Sequence, residues 1–260
     1  MADLDLLDRI GHVTVAAFCQ YATRGGGRVV VDGGLTCVVG SHSTPIIINT
    51  AIRTDPRVAP AVVLARSREF YAGLGHGFTL LTSDHADADL ETAARAGGWT
   101  MAIELPTMVC RAPLSGMPMT AGVAIRRAEP TADIEAFRTV VREGFASDAD
   151  EVAAVDAVFA TPAALDDPNT VGVLASVDGR DVAVATVDVI EGMGYVGWVG
   201  TLPAFRRRGL GDLVTREATN AGFELGADLV ALGASPMGLP LYEKMGYEIV
   251  GTDRIWLPPD

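Results

Sequence analysis

The sequence predicts an α/β protein made of two successive halves with similar orders of strands and helices. Three observations support this prediction. Apolar residues switch repeatedly between strand and helix periodicity along the chain. Asp32-Gly33-Gly34 and Asp178-Gly179 each separate two apolar runs, as tight hairpin turns do. Between the halves, residues 112–120 are rich in proline and glycine and show no clear period, which is typical of a linker.

The first half is predicted to begin with a helix and to end with a strand. A hairpin folded about Asp32-Gly33-Gly34 follows the first helix, and strands and helices then alternate. The predicted elements are a helix at 4–20, a hairpin at 28–39, a strand at 45–51, a helix at 60–72, a strand at 77–82, a helix at 87–96 and a strand at 99–110.

The second half is predicted to follow a nearly identical order. Thr131 is placed to cap its first helix, and Pro162 to end its second. Apolar residues at helical spacing between 210 and 225 give a later helix one buried face. The predicted elements are a strand at 123–128, helices at 131–144 and 148–160, strands at 170–177, 180–190 and 194–202, a helix at 210–225, a strand at 229–234, a helix at 239–246 and a strand at 247–257.

One loop of the second half has the features of an anion site. A predicted strand ends at Thr201-Leu202-Pro203, and Arg206-Arg207-Arg208-Gly209-Leu210-Gly211 leads into a helix. Backbone N–H groups in such a loop are free, glycine permits close approach of a ligand, and the helix N-terminus favours negative charge. The loop therefore predicts a phosphate cradle, with a solvated basic tip as the alternative.

The two common phosphate loops do not fit this segment. A Walker loop requires lysine and then serine or threonine after its second glycine, whereas Asp212 follows Gly211. A dinucleotide-binding fingerprint requires a third glycine, and the following residues, Thr215 and Arg216 among them, do not supply one. Neither of these two loops therefore accounts for the segment.

A second motif lies downstream of the loop. A predicted strand and the turn Ser235-Pro236-Met237-Gly238 lead into Leu241-Tyr242-Glu243-Lys244-Met245-Gly246-Tyr247. At this separation, the two motifs together resemble the acetyl-CoA site of the GNAT superfamily of N-acetyltransferases. The resemblance covers the whole second half. It implies a mixed, mostly antiparallel central sheet flanked by helices.

The resemblance implies that several residues hold acetyl-CoA. The backbone of Val199 and Thr201 would pair with the pantetheine arm. Ser235, which stands where many family members have asparagine, could contact that arm or cap the following helix, and the cap is favoured. The loop that begins at Arg206 would cradle the pyrophosphate through the backbone N–H groups of Arg207, Arg208, Gly209, Gly211 and Asp212.

The resemblance also implies two catalytic groups. The N–H of Thr201 would face the thioester oxygen, and Tyr242 would serve as the general acid; a core aromatic is the alternative for Tyr242. The general base is left open among Asp188, Glu191, Tyr195 and water, since each of these side chains could simply be a solvated strand end.

The acceptor side of the site is predicted only in outline. Phe145 and Phe159, in the two early helices, would line a partly apolar pocket if they point inward, and core packing is the alternative. The histidines all lie in the first half, at His12, His42, His76 and His85. None of them is therefore a natural base for the second half.

Comparison of the halves predicts an internal duplication, with a coincidental similarity of order as the alternative. Residues 201–206 would align with residues 54–59, after which no Gly-x-Gly follows. Residues 242–247 would align with residues 94–99, which puts Ala94 at the position of Tyr242. The predicted domains are therefore a non-catalytic copy at 1–118 and a catalytic domain at 119–260.

Composition limits the other function classes. The formal net charge of -13 argues against a nucleic-acid partner and permits an amine substrate, although a solvated acidic surface that keeps the protein soluble is the favoured interpretation. Cys19, Cys37 and Cys110 are widely spaced and suggest neither a disulfide framework nor a metal site. No apolar run is long enough to cross a bilayer, and the acidic start lacks the basic region of a signal peptide. Nearly all basic residues are arginine, as in proteins encoded by GC-rich bacterial genomes. Together these features predict a soluble protein of the bacterial cytoplasm.

The predicted function is transfer of an acetyl group from acetyl-CoA to a primary amine, by direct attack in a ternary complex. A small-molecule amine is favoured over a protein amine, no metal is expected, and a homodimer is left open. Two alternatives come from other classes. An acyl-CoA-binding regulatory protein would keep the cradle without turnover, and a scaffold protein would use the two halves as an interface.

Overall fold

The computed structural model describes residues 4–45, 48–118, 120–145 and 149–259. These residues form two compact units. The first contains the described residues of Met1–Thr107 and Val250–Asp260, and the second those of Met108–Ile249. The predicted division at residue 118 put the whole last strand in the second domain, whereas that strand belongs to the first unit from Val250 onwards.

The elements up to residue 110 follow the predicted order. They are α1 (Leu4–Arg24), β1 (Arg28–Asp32), β2 (Leu35–Val39), β3 (Asn49–Arg53), α2 (Pro60–Leu74), β4 (Thr79–Ser83), α3 (Ala88–Ala96) and β5 (Thr100–Cys110). The strand predicted at 45–51 is observed further along as β3, and residues 46 and 47 lie outside the described residues.

The remaining elements also follow the prediction. They are β6 (Val123–Arg127), α4 (Pro130–Phe145), α5 (Ala149–Val158), β7 (Thr170–Val177), β8 (Arg180–Ile190), β9 (Met193–Thr201), α6 (Leu210–Glu224), β10 (Leu229–Gly233), α7 (Leu239–Met245) and β11 (Glu248–Leu257). The start of the helix predicted at 148–160 lies outside the described residues, as does residue 119 of the predicted linker.

The predicted cap of α4 at Thr131 is wrong. The helix begins at Pro130, so Thr131 lies inside its first turn. Proline is suited to the first helical position because its missing N–H would have no partner there. The carboxylate of Asp133 instead accepts from the Glu129 N–H at 2.9 Å, which satisfies a donor ahead of the helix.

In the first unit, the strands lie in the order β1-β2-β3-β4-β11. The pairs β1/β2, β2/β3 and β4/β11 are antiparallel, and β3/β4 is parallel with α2 as the crossover. The core contains the stacked rings of Tyr71 and Phe78, whose centroids are 4.4 Å apart, and the edge of Trp99 packs on Phe78. The buried Tyr71 hydroxyl donates to the carbonyls of β2 and β3, which fixes α2 on the sheet.

In the second unit, the strands lie in the order β6-β7-β8-β9-β10. Every neighbouring pair is antiparallel except β9/β10, which is parallel with α6 as the crossover. α6 buries Val214, Ala218 and Ala221 and packs on β7, β8 and β9. α4 also contacts β8 and β9. The predicted mixed, mostly antiparallel sheet flanked by helices is confirmed.

The two units repeat one topology. In each, an antiparallel three-stranded meander is followed by a crossover helix, a parallel strand and a short helix. The ends of the short helices match in detail, because Trp99 N–H donates to Ala94 C=O at 3.0 Å and Tyr247 N–H donates to Tyr242 C=O at 3.0 Å. This bond closes a helix C-terminus in the same way in both units. Ala94 therefore occupies the position of Tyr242, as the sequence alignment of the halves predicts.

Candidate active site

The site begins at a bulge near the end of β9. Val184 pairs with Gly200 and Thr186 with Gly197, so Trp198 and Val199 together face the single residue between Val184 and Thr186. Trp198 adopts a φ of 50°, in the left-handed region. Bulges bend a strand, increase its twist and interrupt its ladder. The bulge therefore sets the direction in which β9 approaches the following loop.

Beyond the bulge, the backbone of Thr201 turns away from β8. The N–H of Leu202 donates to the carbonyl of Val182 at 2.9 Å. Since hydrogen-bonded and non-bonded pairs alternate in an antiparallel ladder, the N–H and C=O of Thr201 point to the other side. On that side, β10 pairs with β9 only from Met193 to Tyr195. The N–H of Thr201 thus lies beyond the paired part of β10, and a Cβ at Gly144 of α4 would lie 3.5 Å from its nitrogen.

The loop after β9 presents a helix N-terminus without a side-chain cap. Arg207 has a φ of 61° and Gly209 a φ of 78°, so the chain turns sharply before α6. At the N-cap residue, Gly209, no side chain of the described residues accepts from the first turn of the helix. Its first N–H groups also have no acceptor within the helix, and the helix dipole places partial positive charge there. Together they form a ready site for an anion.

Gly211 brings this loop next to the end of β9 and to α7. A Cβ at Gly211 would lie 3.7 Å from the Thr201 hydroxyl and 3.5 Å from Cδ2 of Leu241. At Gly209, a Cβ would meet only Cε of Met117, at 3.8 Å. A methyl group would therefore fit at position 211, but it would fill space beside the N–H groups of the loop. The predicted cradle, Thr201 and the helix of Tyr242 meet at this point.

Two charged side chains of the loop are engaged within the protein. The Arg206 guanidinium donates through Nε to the Thr201 carbonyl at 3.2 Å and through Nη2 to the Gly144 carbonyl at 3.0 Å. It thus joins the last turn of α4 to the end of β9. Asp212 pairs with Arg216 one turn along α6. Arg207 and Arg208 are exposed, and the Arg208 guanidinium lies over the Phe205 ring, 5.4 Å from its centroid.

Tyr242 is held in α7 with its ring buried and 7 % of its surface exposed. Burial raises its pKa to about 12, so the hydroxyl keeps its proton at neutral pH. Within the described chain, its hydroxyl makes no hydrogen bond, and its ring contacts that of Tyr247 at a centroid distance of 6.0 Å. A protonated hydroxyl without an internal acceptor suits a proton donor, and the burial of the ring equally suits a core aromatic.

Ser235 lies in the turn ahead of α7. Its hydroxyl accepts from the N–H of Gly238 at 3.2 Å, and its carbonyl accepts from the same N–H at 2.9 Å. Gly238 is itself the N-cap residue, and no described side chain caps the helix there. Ser235 therefore organises the turn in front of α7, and its carbonyl also accepts from the N–H of Leu239, the first residue of the helix, at 2.9 Å.

Comparison with known families identifies this half of the chain. A family model described as Acetyltransferase (GNAT) family matches residues 135–247. The match includes the loop at Arg206 to Asp212 and the helix of Tyr242. Residues 135–247 form a GNAT-family acetyltransferase domain. The predicted resemblance is thus confirmed, and membership supports acyl transfer as the reaction of the second unit.

Solved structures show the same fold across both units. A GCN5-related N-acetyltransferase from Kribbella flavida is 24% identical, with a TM-score of 0.73 and 95% of each chain covered. A GCN5-related N-acetyltransferase from Sphaerobacter thermophilus is 14% identical, with a TM-score of 0.62, covering 88% of this chain and 75% of that one. A tandem GNAT protein from the clavulanic acid biosynthesis pathway is 15% identical, with a TM-score of 0.57, covering 89% and 83%. No curated protein matches the chain significantly.

The structure does not bring the three candidate bases of the GNAT domain to Thr201. Asp188 is buried, accepts from the Thr170 hydroxyl at 2.6 Å and faces Tyr195 across the ladder. Thr201 lies six positions further along β9 than Tyr195, a separation of roughly 20 Å at strand spacing. Glu191 forms part of the exposed β8–β9 turn with a φ of 49°. All three side chains therefore lie toward the opposite end of β9.

Three aromatic rings cluster near the bulge of the GNAT domain. Phe159 is buried and Phe145 is 47% exposed, and both meet Trp198 edge-on at centroid distances of 5.0 and 6.1 Å. Phe159 is therefore a core residue, whereas Phe145 presents an apolar surface beside Gly200. Sequence reasoning missed Trp198. The glycines at 197 and 200 were the available signal, because glycine inside a strand pattern often marks a bulge.

The corresponding loop of the first unit carries a carboxylate beside its N–H groups. The Asp55 carboxylate accepts from the Arg57 N–H at 2.9 Å and pairs with its guanidinium at 2.8 Å. The Arg57 guanidinium lowers the pKa of Asp55 to about 2. Helix α2 then begins at Pro60, which has no N–H to offer. In the first unit, the Asp55 carboxylate thus accepts from a loop N–H group, and no described side chain does so at the start of α6 in the GNAT domain.

Over the described ranges, no group of three or more His, Cys, Asp or Glu side chains is arranged to hold a metal ion. No helix in the part of the chain that the structure describes is long and apolar enough to cross a bilayer.

Proposed function

We propose that the chain is an N-acetyltransferase that moves an acetyl group from acetyl-CoA to a primary amine by direct attack in a ternary complex. One observation carries this proposal. The uncapped N-terminus of α6 lies beside Thr201, whose N–H points away from β8, and Gly211 connects both with the helix of Tyr242. An anion site and a carbonyl-polarising donor at this spacing match the needs of acyl transfer.

The residues of the cradle fit acetyl-CoA. The N–H groups of Arg207, Arg208 and Gly209, with those of Gly211 and Asp212, would hold the pyrophosphate. The backbone of Val199 and Thr201 would pair with the pantetheine arm, with Ser235 beside it in the turn before α7. Acetyl-CoA, when bound, supplies an acetyl group activated as a thioester. The pyrophosphate of acetyl-CoA is a dianion, and the free N–H groups at an uncapped helix N-terminus can donate hydrogen bonds to it.

Two groups of the protein would act on the reacting atoms. The Thr201 N–H would donate to the thioester oxygen as negative charge develops on it. Tyr242 would hold a proton on its hydroxyl for the leaving thiolate, since its raised pKa keeps it protonated. Arg206 would position Thr201 by binding the Thr201 carbonyl. Water would remove the proton from the attacking amine, because the candidate side chains lie toward the other end of β9.

A small amine is the proposed acceptor, in preference to a protein N-terminus or lysine. The formal net charge of -13 favours approach of a cation. Phe145 presents an exposed aromatic face near the bulge, which would suit an amine with an apolar body. We also place the enzyme in the bacterial cytoplasm, because its widely spaced cysteines are all free thiols, as in a reducing compartment.

A binding and a turnover measurement together test the proposal. The purified chain is titrated with acetyl-CoA in a calorimeter, and thiol release is followed over a panel of amines. Binding with amine-dependent thiol release is expected. Binding without release for every amine would instead favour a regulatory acyl-CoA-binding protein. Absence of binding by a folded chain would leave the scaffold role.

A further inference from the structure

The first unit contains a cavity of about 420 Å³ that the proposed acetyl transfer does not use. It lies at the carboxyl ends of the parallel strands β3 and β4, and α1 and Asp253 of β11 complete its lining. Its volume lies within the range of small-molecule sites, roughly 300–1,000 Å³. The chemistry of its walls indicates which ligand it suits.

The buried arginine of this cavity has no donor left for an anion. The Arg53 guanidinium donates through Nε to Asp87 at 2.9 Å. Its two terminal nitrogens donate to both oxygens of Asp89 and to the carbonyls of Val58 and Ala86. These bonds use all five N–H groups of a guanidinium. Arg53 therefore completes the wall without attracting a phosphate or carboxylate.

The remaining polar groups of the wall are carboxylates, which only accept, together with hydroxyls and the imidazoles of His12 and His85, which can donate or accept. Asp253 is 9% exposed and accepts from the hydroxyls of Ser83 and Thr107. Ser83 also bonds Nδ1 of His85 at 2.7 Å, and Nε2 of His85 lies 3.2 Å from the carboxylate of Asp8. Each carboxylate can accept more bonds than these partners supply. The polar side of the cavity thus calls for a ligand that donates hydrogen bonds and carries positive charge.

The other side of the cavity is apolar. It is lined by Val15 of α1, Ile52 of β3, Leu81 of β4 and the loop residue Pro56. Few polar groups on a mainly apolar wall are typical of sites that orient a small amphipathic molecule. A second acyl-CoA does not fit this unit, because Asp55 occupies the N–H of Arg57 and Pro60 opens α2 without a donor.

We infer that this cavity binds a small primary amine, whose ammonium donates to the carboxylate of Asp253 while its apolar body packs against Val15, Ile52 and Leu81. The Asp8 carboxylate, which faces His85, is a second acceptor on the same wall. The site is separate from the GNAT domain and does not depend on the proposed acetyl transfer. The first unit thus acts as an amine-binding module that has no acyl-CoA cradle of its own.

Calorimetric titration of the full chain at pH 7.5 with matched probes tests the chemical class. The probes are cyclohexylmethylamine, the neutral cyclohexylmethanol and the anionic cyclohexanecarboxylate, which share one apolar body. The amine is expected to bind at least tenfold more tightly than the other two. Absence of amine binding, or equal binding of the alcohol, would overturn the inference.

Variants of the chain then locate the bound amine. Asp253→Asn keeps the shape of the side chain and removes its charge, and Val15→Trp fills the cavity without touching that charge. Each is expected to weaken amine binding at least tenfold. The exposed Glu69→Gln on α2 removes one charge elsewhere and should leave binding unchanged. If either cavity variant that folds by circular dichroism binds the amine like the wild type, the amine lies elsewhere, for instance at the acceptor site, and the inference is wrong.

Discussion

Replacement of Gly211 by alanine should raise the stability of the protein while it weakens acetyl-CoA binding. The added Cβ would lie 3.5 Å from Leu241 and 3.7 Å from Thr201, which are ordinary contacts without a clash. Alanine is favoured over glycine inside a helix by up to about 1 kcal/mol. The free energy of unfolding should therefore stay the same or increase by a few tenths to about 1 kcal/mol.

The effect on affinity should be larger and of opposite sign. The methyl group would fill space beside the N–H groups that receive the pyrophosphate. A hydrogen bond to a charged group contributes about 1.5–3 kcal/mol. Loss of one such bond corresponds to a weakening of roughly 10- to 150-fold. Titration calorimetry with acetyl-CoA measures this change, and thermal unfolding measures stability on the same samples.

Gly73→Ala is the matched control. Gly73 lies in α2, is exposed, and a Cβ there would meet no atom within 4 Å. This variant should gain a similar stability and bind acetyl-CoA like the wild type. If Gly211→Ala also binds like the wild type, the pyrophosphate does not lie at the start of α6, and the proposed cradle is wrong.

Three further predictions concern single side chains. Tyr242→Phe should lower kcat for thiol release by about 100-fold or more, with acetyl-CoA affinity within twofold, because it removes only the donated proton; an unchanged kcat would exclude the acid role. Arg206→Ala should lower kcat/KM about tenfold, because it frees the carbonyls of Thr201 and Gly144. Arg206→Lys should not restore kcat/KM, since one ammonium does not reproduce the guanidinium fork. Full rescue by lysine would contradict this role of Arg206. Burial raises the pKa of Asp253 from 3.8 to about 6. The protonated carboxyl therefore makes its full contribution to the free energy of unfolding below about pH 4, and this contribution is lost as the pH rises through 6. At about 1.4 kcal/mol per pKa unit the loss is about 3 kcal/mol, and urea unfolding of Asp253→Asn should lack this decline.

Local chemistry explains why much of the fold could be predicted. Asp178 and Gly179 adopt φ values of 49° and 81°, the left-handed pair that a two-residue hairpin requires, and their residue types favour that conformation. The short helix of Tyr242 ends at Gly246 with a φ of 95°, as the glycine predicts. In each case, the residue that determines the conformation lies within the turn itself.

Features that depend on distant partners could not be predicted. Trp198 is a poor candidate for a positive φ, and its conformation follows from the register of β8 against β9. Asp253 lies late in the sequence, yet it pairs across the ladder with Ser83 of β4. Asp188 resembles a candidate base in the sequence, and only the register shows that it faces Tyr195, far from Thr201. These relations are set by tertiary packing, which no local pattern records.

The stoichiometry of acetyl-CoA binding tests the central claim most directly. Among the described residues, no side chain caps the start of α6, whereas in the first unit Asp55 accepts from the Arg57 N–H and Pro60 opens α2 without a donor. Calorimetric titration of the wild-type chain should therefore give one acetyl-CoA per chain, and subsequent addition of an acceptor amine should release one thiol for each acetyl group transferred. Two molecules bound per chain, or none, would contradict the account.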